Sequence, residues 1–440
     1  MTQNASSGLS DDRPNIVLVT IDSLRADHCG FLSDTGESLT PTLDRLANDG
    51  VAFSNAIAAG PRTPSSMPAV FTGQIDRTGD FDINDWSHWQ YRYQHIERQM
   101  RRYRTLAENL RDRGYSTIGV TANPWTQDTG FDTGFDSYVE IDGEDVNRSN
   151  APLLSLAGWT LSRTGVFAQN WKNSQEWFLQ WPHYYQRIAD AISNASEPYF
   201  LWVFILDTHQ PYIAPRQFRS ESSGPGMLYA NYRESSSDGS DLSAHVTKGL
   251  ERAYRDTVRS ADAFVDRLHD ECADDDPLFI VHSDHGESFG ERGKYGHPPE
   301  LYEENIRVPL VFHGMDREKT IHEPFSLRRI PETVTSILDD SRRELEDQAS
   351  EYVLASTEDG KKATVRGSRW KLIRADDDEH LYDLEEDPEE RTDVIDQRPE
   401  IADDLRATLR RRKQHNHEIV SIAQAITDWG QSRLSEGPRL

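Results

Sequence analysis

Pro277-Leu278-Phe279-Ile280-Val281-His282-Ser283-Asp284-His285-Gly286-Glu287 is the stretch from which the fold can be read. Leu278 to Val281 is a short, uninterrupted apolar run, the pattern of a strand buried on both faces. It delivers Asp284 and His285 to its carboxyl end, and a glycine-punctuated loop with Lys294 and His297 comes next. Open α/β sheets keep their chemistry at this end of their strands. Asp and His side by side offer a hard oxygen and an imidazole nitrogen, a pair suited to a divalent cation.

A second strand of the same kind is Asn15-Ile16-Val17-Leu18-Val19-Thr20, which ends at Ile21-Asp22-Ser23 and places Asp22 like Asp284. Pro41 to Gly50 predicts a short helix with Thr40 as N-cap. In Gly60-Pro61-Arg62-Thr63-Pro64-Ser65-Ser66-Met67-Pro68-Ala69-Val70-Phe71-Thr72-Gly73, a hydroxyl precedes a proline-marked turn and an apolar helical stretch. Thr63 is then either a helix N-cap or a group presented to an anion at a positive helix end.

The spacing of Ile96, Met100, Tyr103, Leu106 and Leu110 predicts one amphipathic helix over 94–113, and 246–272 predicts another. Ser220 to Ser243, rich in Ser, Gly and acidic residues, reads as an exposed loop over the site. Arg307, close to Glu303 and Glu304, reads as an ion-pair support. Leu153 to Phe167 is the most lipid-like stretch, but Ser155, Arg163 and Gly165 interrupt it, so it reads as a core-facing or lid helix. The expected organisation is a disordered 1–13, a catalytic domain over 14–345, and a C-terminal subdomain over 346–440 with a small antiparallel sheet and a terminal helix.

The formal net charge of -27 argues against a nucleic-acid or anionic-membrane partner. Of the 48 basic residues, 8 are Lys and 40 are Arg, and so acidic and lysine-poor a surface suits concentrated salt, which points to a halophilic source. The 2 cysteines, Cys29 and Cys272, suggest neither a metal site nor a disulfide framework. The polar first residues lack a secretory pattern and no apolar run spans a membrane, so a cytoplasmic protein is expected.

Taken together, Ile16 to Gly30, Thr40 to Gly50, Thr63 to Gly73, Phe200-Leu201-Trp202-Val203-Phe204-Ile205-Leu206-Asp207-Thr208-His209-Gln210-Pro211-Tyr212, Asp284 to Pro309, and the tail around Val365 to Ile373 and Leu381 to Pro388 resemble the sulfatases of the alkaline phosphatase superfamily. Nothing over about 79–105 or 145–195 takes part. The resemblance implies an α/β fold with a mostly parallel central sheet sandwiched by helices and a smaller C-terminal α+β subdomain. It implies that Asp22, Asp284 and His285 hold the metal and that His209 contacts the ester or leaving group. Thr63 falls at the nucleophile position, and His297 falls where many relatives turn a Lys or His to the bound anion.

This chain departs from the family in two places. Sulfatases carry a Cys or Ser, oxidised to formylglycine, in a Cys-x-Pro-x-Arg pattern, whereas the matching positions here are Thr63, Ser65 and Met67. Threonine cannot yield that aldehyde, although phosphoester-processing relatives use an unmodified Thr. The family's Gly-Lys-x-His anion clamp is also absent, and Asn123 of Ala122-Asn123-Pro124-Trp125 is the candidate to replace part of it.

The chemistry can be assembled from these parts. A threonine hydroxyl is a poor nucleophile until a cation lowers its pKa. Arg62, Asn123, Lys294 and the helix start at Thr63 would stabilise the transferring group, with His209 or His297 protonating the leaving oxygen. One divalent ion is expected, Ca, Mg or Mn by ligand hardness with Zn open; a second would need Asp207, His209 and His297. The reading is a metal-dependent hydrolase of sulfate or phosphate esters, small-molecule, glycan or lipid, through a covalent ester on Thr63. The alternatives are a phospho-group transferase to a glycan or lipid alcohol and a non-catalytic binding protein of the same fold.

Overall fold

The structure is a computed structural model; it describes residues 13–33, 37–75, 89–141, 180–237, 242–315, 317–339, 345–375 and 378–411. An eight-stranded sheet runs in the order Lys319–Ile321, Val51–Phe53, Leu310–His313, Leu278–Ser283, Ile16–Ile21, Tyr199–Ile205, Ser116–Thr121, Ser137–Glu140. Leu310–His313 alone runs against its neighbours; every other pairing in this sheet is parallel. Parallel strands need crossover helices, and those helices cover both faces.

The two-residue period of a strand explains the two cores. Val17, Val19 and Ile21 join Leu201, Val203 and Phe279 on one face, under the long Ala244–Glu271 helix with Tyr254, Val258, Phe264 and Leu268. Ile16, Leu18, Phe200, Trp202 and Ile280 face the other way, toward Met67, Val70 and Phe71 of the Thr63–Thr72 helix and Val334 of the Ile330–Asp339 helix. Each large apolar side chain removed from water there contributes roughly 1.5–3 kcal/mol, so the sheet holds its strand ends rigidly.

A four-stranded antiparallel sheet, Val353–Ser356, Lys362–Arg366, Trp370–Ala375 and Asp378–Asp383, forms the C-terminal subdomain. Ala402, Leu405 and Leu409, in a helix over 399–411, complete its core. The subdomain reaches the main sheet's business end, because Ser356 N donates to the Ala59 carbonyl at 3.0 Å, just before the Thr63 helix.

Several expectations change. The helix expected over 94–113 is two, Trp89–Arg102 and Leu106–Asp112, because Thr105 and Glu108 close a capping box between them (Glu108 N to Thr105 Oγ1 3.1 Å, Thr105 N to Glu108 Oε2 2.9 Å). The loop expected over 220–243 contains a Gly224–Ser235 helix, started by Pro225 and capped by Ser223, whose hydroxyl accepts from Gly226 N at 3.2 Å. Helix Pro41–Asn48 receives its cap from elsewhere: Asp262 accepts from Thr42 N and Leu43 N at 3.1 and 2.9 Å. Arg307 donates to the Ser54 carbonyl at 3.0 Å, while Glu303 is taken by Arg366 and Lys371 and Glu304 by Arg292. The segments 1–12, 153–167 and 412–440 lie outside the described residues.

Candidate active site

Two adjacent strands build the centre of the site. Ile16–Ile21 and Leu278–Ser283 pair in register, Ile21 beside Ser283, so Asp22 and Asp284 leave the sheet side by side. Ser23 turns the chain at a positive φ of 59°, which lets its N–H reach Asp284 Oδ1 at 3.2 Å while its hydroxyl donates to Asp22 Oδ1 at 2.8 Å. The Tyr254 hydroxyl pins this turn, donating to the Ser23 carbonyl at 2.7 Å and accepting from Arg25 N at 2.9 Å.

Asp22, Asp284 and His285 are fully buried, and one ligand atom of each lies within 4.8 Å of the other two. His285 Nδ1 is 2.8 Å from the Gly286 carbonyl, and since a carbonyl only accepts, Nδ1 carries a proton and Nε2 is the nitrogen turned to the two carboxylates. Nε2 stands 3.6 Å from Asp22 Oδ1, 3.5 Å from Asp284 Oδ2 and 3.3 Å from Thr63 Oγ1. Asp284 Oδ2 is buried with no hydrogen bond, and burial, then the charge of Asp22, holds the Asp284 carboxyl well above the usual range. A buried pair of carboxylates with an orphan oxygen and an aimed imidazole fits a hard divalent cation; these three residues would hold it. Among the described residues this is the one such cluster.

Thr63 is the first residue of its helix rather than the cap; Arg62 is the cap residue, and its N–H donates to Ser65 Oγ at 3.1 Å. The hydroxyl therefore sits at the positive helix end. Arg62 Nε donates to the His297 carbonyl at 2.8 Å, and burial lowers its pKa to about 10. The His297 ring lies between two others, 5.1 Å from His285 and 5.0 Å from His209, and burial with these neighbours lowers its pKa. Asn123 Nδ2 donates to Asp22 Oδ2 at 2.6 Å while its own oxygen takes Trp125 N at 2.9 Å, so the amide supports a cation-site carboxylate.

Lys294 is not brought in. It is exposed and lines a cavity of about 100 Å³ with Glu291, Arg292 and Glu300. Asp207 also points elsewhere: it accepts from Ser260 Oγ at 3.1 Å and Trp181 N at 3.3 Å, which anchors it to the helical layer and leaves the two-cation arrangement without its extra Asp.

Glu287 is the residue that sequence reasoning passed over. Gly286 explains its position: a Cβ there would come within 2.0 Å of the Glu304 carbonyl oxygen, so only glycine lets the loop pass and turn the next side chain inward. The signal available was the run Asp-His-Gly-Glu itself, but nothing in it says that the Glu is buried.

A parallel α/β sheet with a cation cluster beside a helix-borne hydroxyl defines the alkaline-phosphatase-like class of ester-cleaving enzymes. The family model Sulfatase matches residues 14–339, and the chain belongs to that family, which sets it among the ester hydrolases. It is similar to the Choline-sulfatase of Rhizobium meliloti (strain 1021), 23% identical over 97% of this chain and 91% of that one. It is also similar to the Arylsulfatase of Clostridium perfringens (strain 13 / Type A), 22% identical over 87% and 90% respectively. Among solved structures, the Phosphonate Monoester Hydrolase of Agrobacterium radiobacter superposes with a TM-score of 0.66 at 15% identity, covering 92% of this chain and 96% of that one.

Proposed function

We propose that this protein hydrolyses phosphate or sulfate esters of a small molecule, glycan or lipid through a covalent ester on Thr63, with one divalent cation held by Asp22, Asp284 and His285. The observation that supports this most is the placement of the Thr63 hydroxyl, 3.3 Å from His285 Nε2 and at a helix start. A cation held there would lower the pKa of the Thr63 hydroxyl and offset charge on the transferring group.

The residues of the chain do the remainder. Thr63 gives its proton to solvent, its Oγ1 forms the new bond to phosphorus or sulfur, and the ester bond breaks. His209 or His297 protonates the departing oxygen, and Arg62 and the helix start hold the anion. Water then attacks the Thr63 ester, which restores the hydroxyl and releases the inorganic anion. Threonine, which cannot become formylglycine, favours phosphorus over sulfur.

The test is a panel of aryl sulfate, phosphate monoester, phosphate diester and phosphonate ester, with Mg, Mn, Ca or Zn, in high salt, followed by acid quench and mass spectrometry of the Thr63 peptide. Turnover and a phospho or sulfo adduct on Thr63 are expected, with Thr63→Ala losing the adduct and at least about 10³-fold in kcat. Unchanged turnover by Thr63→Ala would overturn the assignment.

A further inference from the structure

One ionisable side chain inside the site has no task in this scheme. Glu287 is fully buried, and neither carboxylate oxygen has a hydrogen bond of ordinary geometry. Its backbone is held at three points: Gly286 N to the Asn305 carbonyl and Glu287 N to the Glu304 carbonyl, both 2.9 Å, and the Glu287 carbonyl to Arg25 Nη1 at 3.0 Å. Such a fixed backbone leaves the carboxylate no route to solvent. Its oxygens do not join the Asp22, Asp284 and His285 group. Around it stand His209, His285, the Tyr212 hydroxyl and His297, and His297 brings its Nδ1 to 3.4 Å from Glu287 Oε1. That Nδ1 is itself buried and without a hydrogen bond.

Two buried orphans at 3.4 Å from each other satisfy one another once the Nδ1–H is aimed at the carboxylate. We propose that Glu287 is a positioning residue: it accepts the Nδ1–H of His297 and fixes that ring, so that Nε2, on the opposite edge, is the nitrogen that takes up a second proton and donates it toward the oxygen leaving the centre attacked by Thr63. The geometry is that of a base held by a third group, here applied to an imidazole between His209 and His285. A lysine at this position would need no such partner, because an ammonium has neither ring plane nor tautomer to fix. The inference rests on the proposed hydrolysis for its kinetic consequence but not for its structural one.

The experiment therefore has two arms. In the first, Glu287→Leu, Glu287→Gln, His297→Ala and the double variant Glu287→Leu/His297→Ala are assayed on the best ester of the panel, with folding checked by thermal melts. Glu287→Leu should lose about tenfold or more in kcat/KM, Glu287→Gln, which retains an acceptor oxygen, should recover much of it, and the double variant should lie within about twofold of His297→Ala. Multiplicative losses in the double variant would overturn the proposal, since Glu287 would then act on something other than His297. In the second arm, imidazole ¹⁵N shifts of the metal-free protein, assigned with His297→Ala, read the tautomer directly. The Nδ1-protonated form of His297 is expected, lost in Glu287→Leu and retained in Glu287→Gln; a His297 signal unchanged by Glu287→Leu would overturn it. Absence of turnover on every ester would sink the hydrolase reading alone, because the second arm needs no substrate.

Discussion

The fold holds two clusters of charged groups out of water, and their contrast separates support from chemistry. Partly buried Glu303 and buried Glu390 lie against two cations: Lys371 Nζ is 2.9 Å from Glu303 and 2.8 Å from Glu390, and Arg366 is 3.1 Å from Glu303. Burial alone would raise the Glu303 carboxyl, but Arg366 and Lys371 outweigh it and hold it well below the usual range. That cluster closes its own charge balance and ties the C-terminal sheet to the segment whose carbonyls hold Gly286 and Glu287. The Asp22, Asp284 and His285 cluster is more deeply buried, yet has no Lys or Arg in it. A fold that places two cations against one set of carboxylates and none in the other has left the second for a cation that comes from outside.

The largest effect that could break this comparison is Asp284→Asn. Calorimetric titration with Mn²⁺ should show binding abolished, and the cation-induced rise in melting temperature, worth about 2.7 kcal/mol at a hundredfold excess over Kd, should vanish. Without metal the variant should be no less stable than the parent, since a buried repulsion has been removed. Lys371→Met comes next: it strands the buried Glu390 carboxylate and leaves Glu303 with Arg366 alone, and should cost about 3–5 kcal/mol by urea unfolding, with Mn²⁺ affinity of the folded protein unchanged. Equal damage to Mn²⁺ affinity would erase the distinction.

The smallest effect is in pH dependence. Asp207, also buried but outside both clusters, has its pKa raised by burial to about 7. A raised carboxyl means that the folded state binds the proton more tightly, so its contribution is present below the unfolded pKa of about 4 and is lost as pH climbs toward 7. Asp207→Asn should flatten the fall in urea midpoint across that window; an unaltered slope would show that Asp207 is not the group responsible.

How much of this could be read from the chain alone depended on whether the signal was local. Ile16–Ile21 and Leu278–Ser283 were legible because buried parallel strands are short apolar runs, and the residues just after such a run lie at its carboxyl end. The convergence of Asp22, Asp284, His285 and Thr63 was legible only through resemblance, because register and crossover are not local properties. The Gly224–Ser235 helix was hidden by a Ser- and Gly-rich composition whose start signal is only Ser223 shortly before Pro225. The break at Thr105 was hidden because Leu106 and Leu110 continue the helical spacing across a cap. Lys294, close in sequence to His297, is exposed because Gly293 and Gly296, both at positive φ, redirect the loop between them. Glu287 and Asn123 were missed as supports because their roles lie in contacts with His297 and Asp22, which only the assembled fold displays.

The most direct test of the central claim is anomalous diffraction from crystals grown with Mn²⁺. A single strong peak is predicted within coordinating distance of Asp22, Asp284 Oδ2 and His285 Nε2 and next to Thr63 Oγ1. A protein that binds Mn²⁺ in solution yet shows its peak elsewhere, with these four groups bare, would contradict the account.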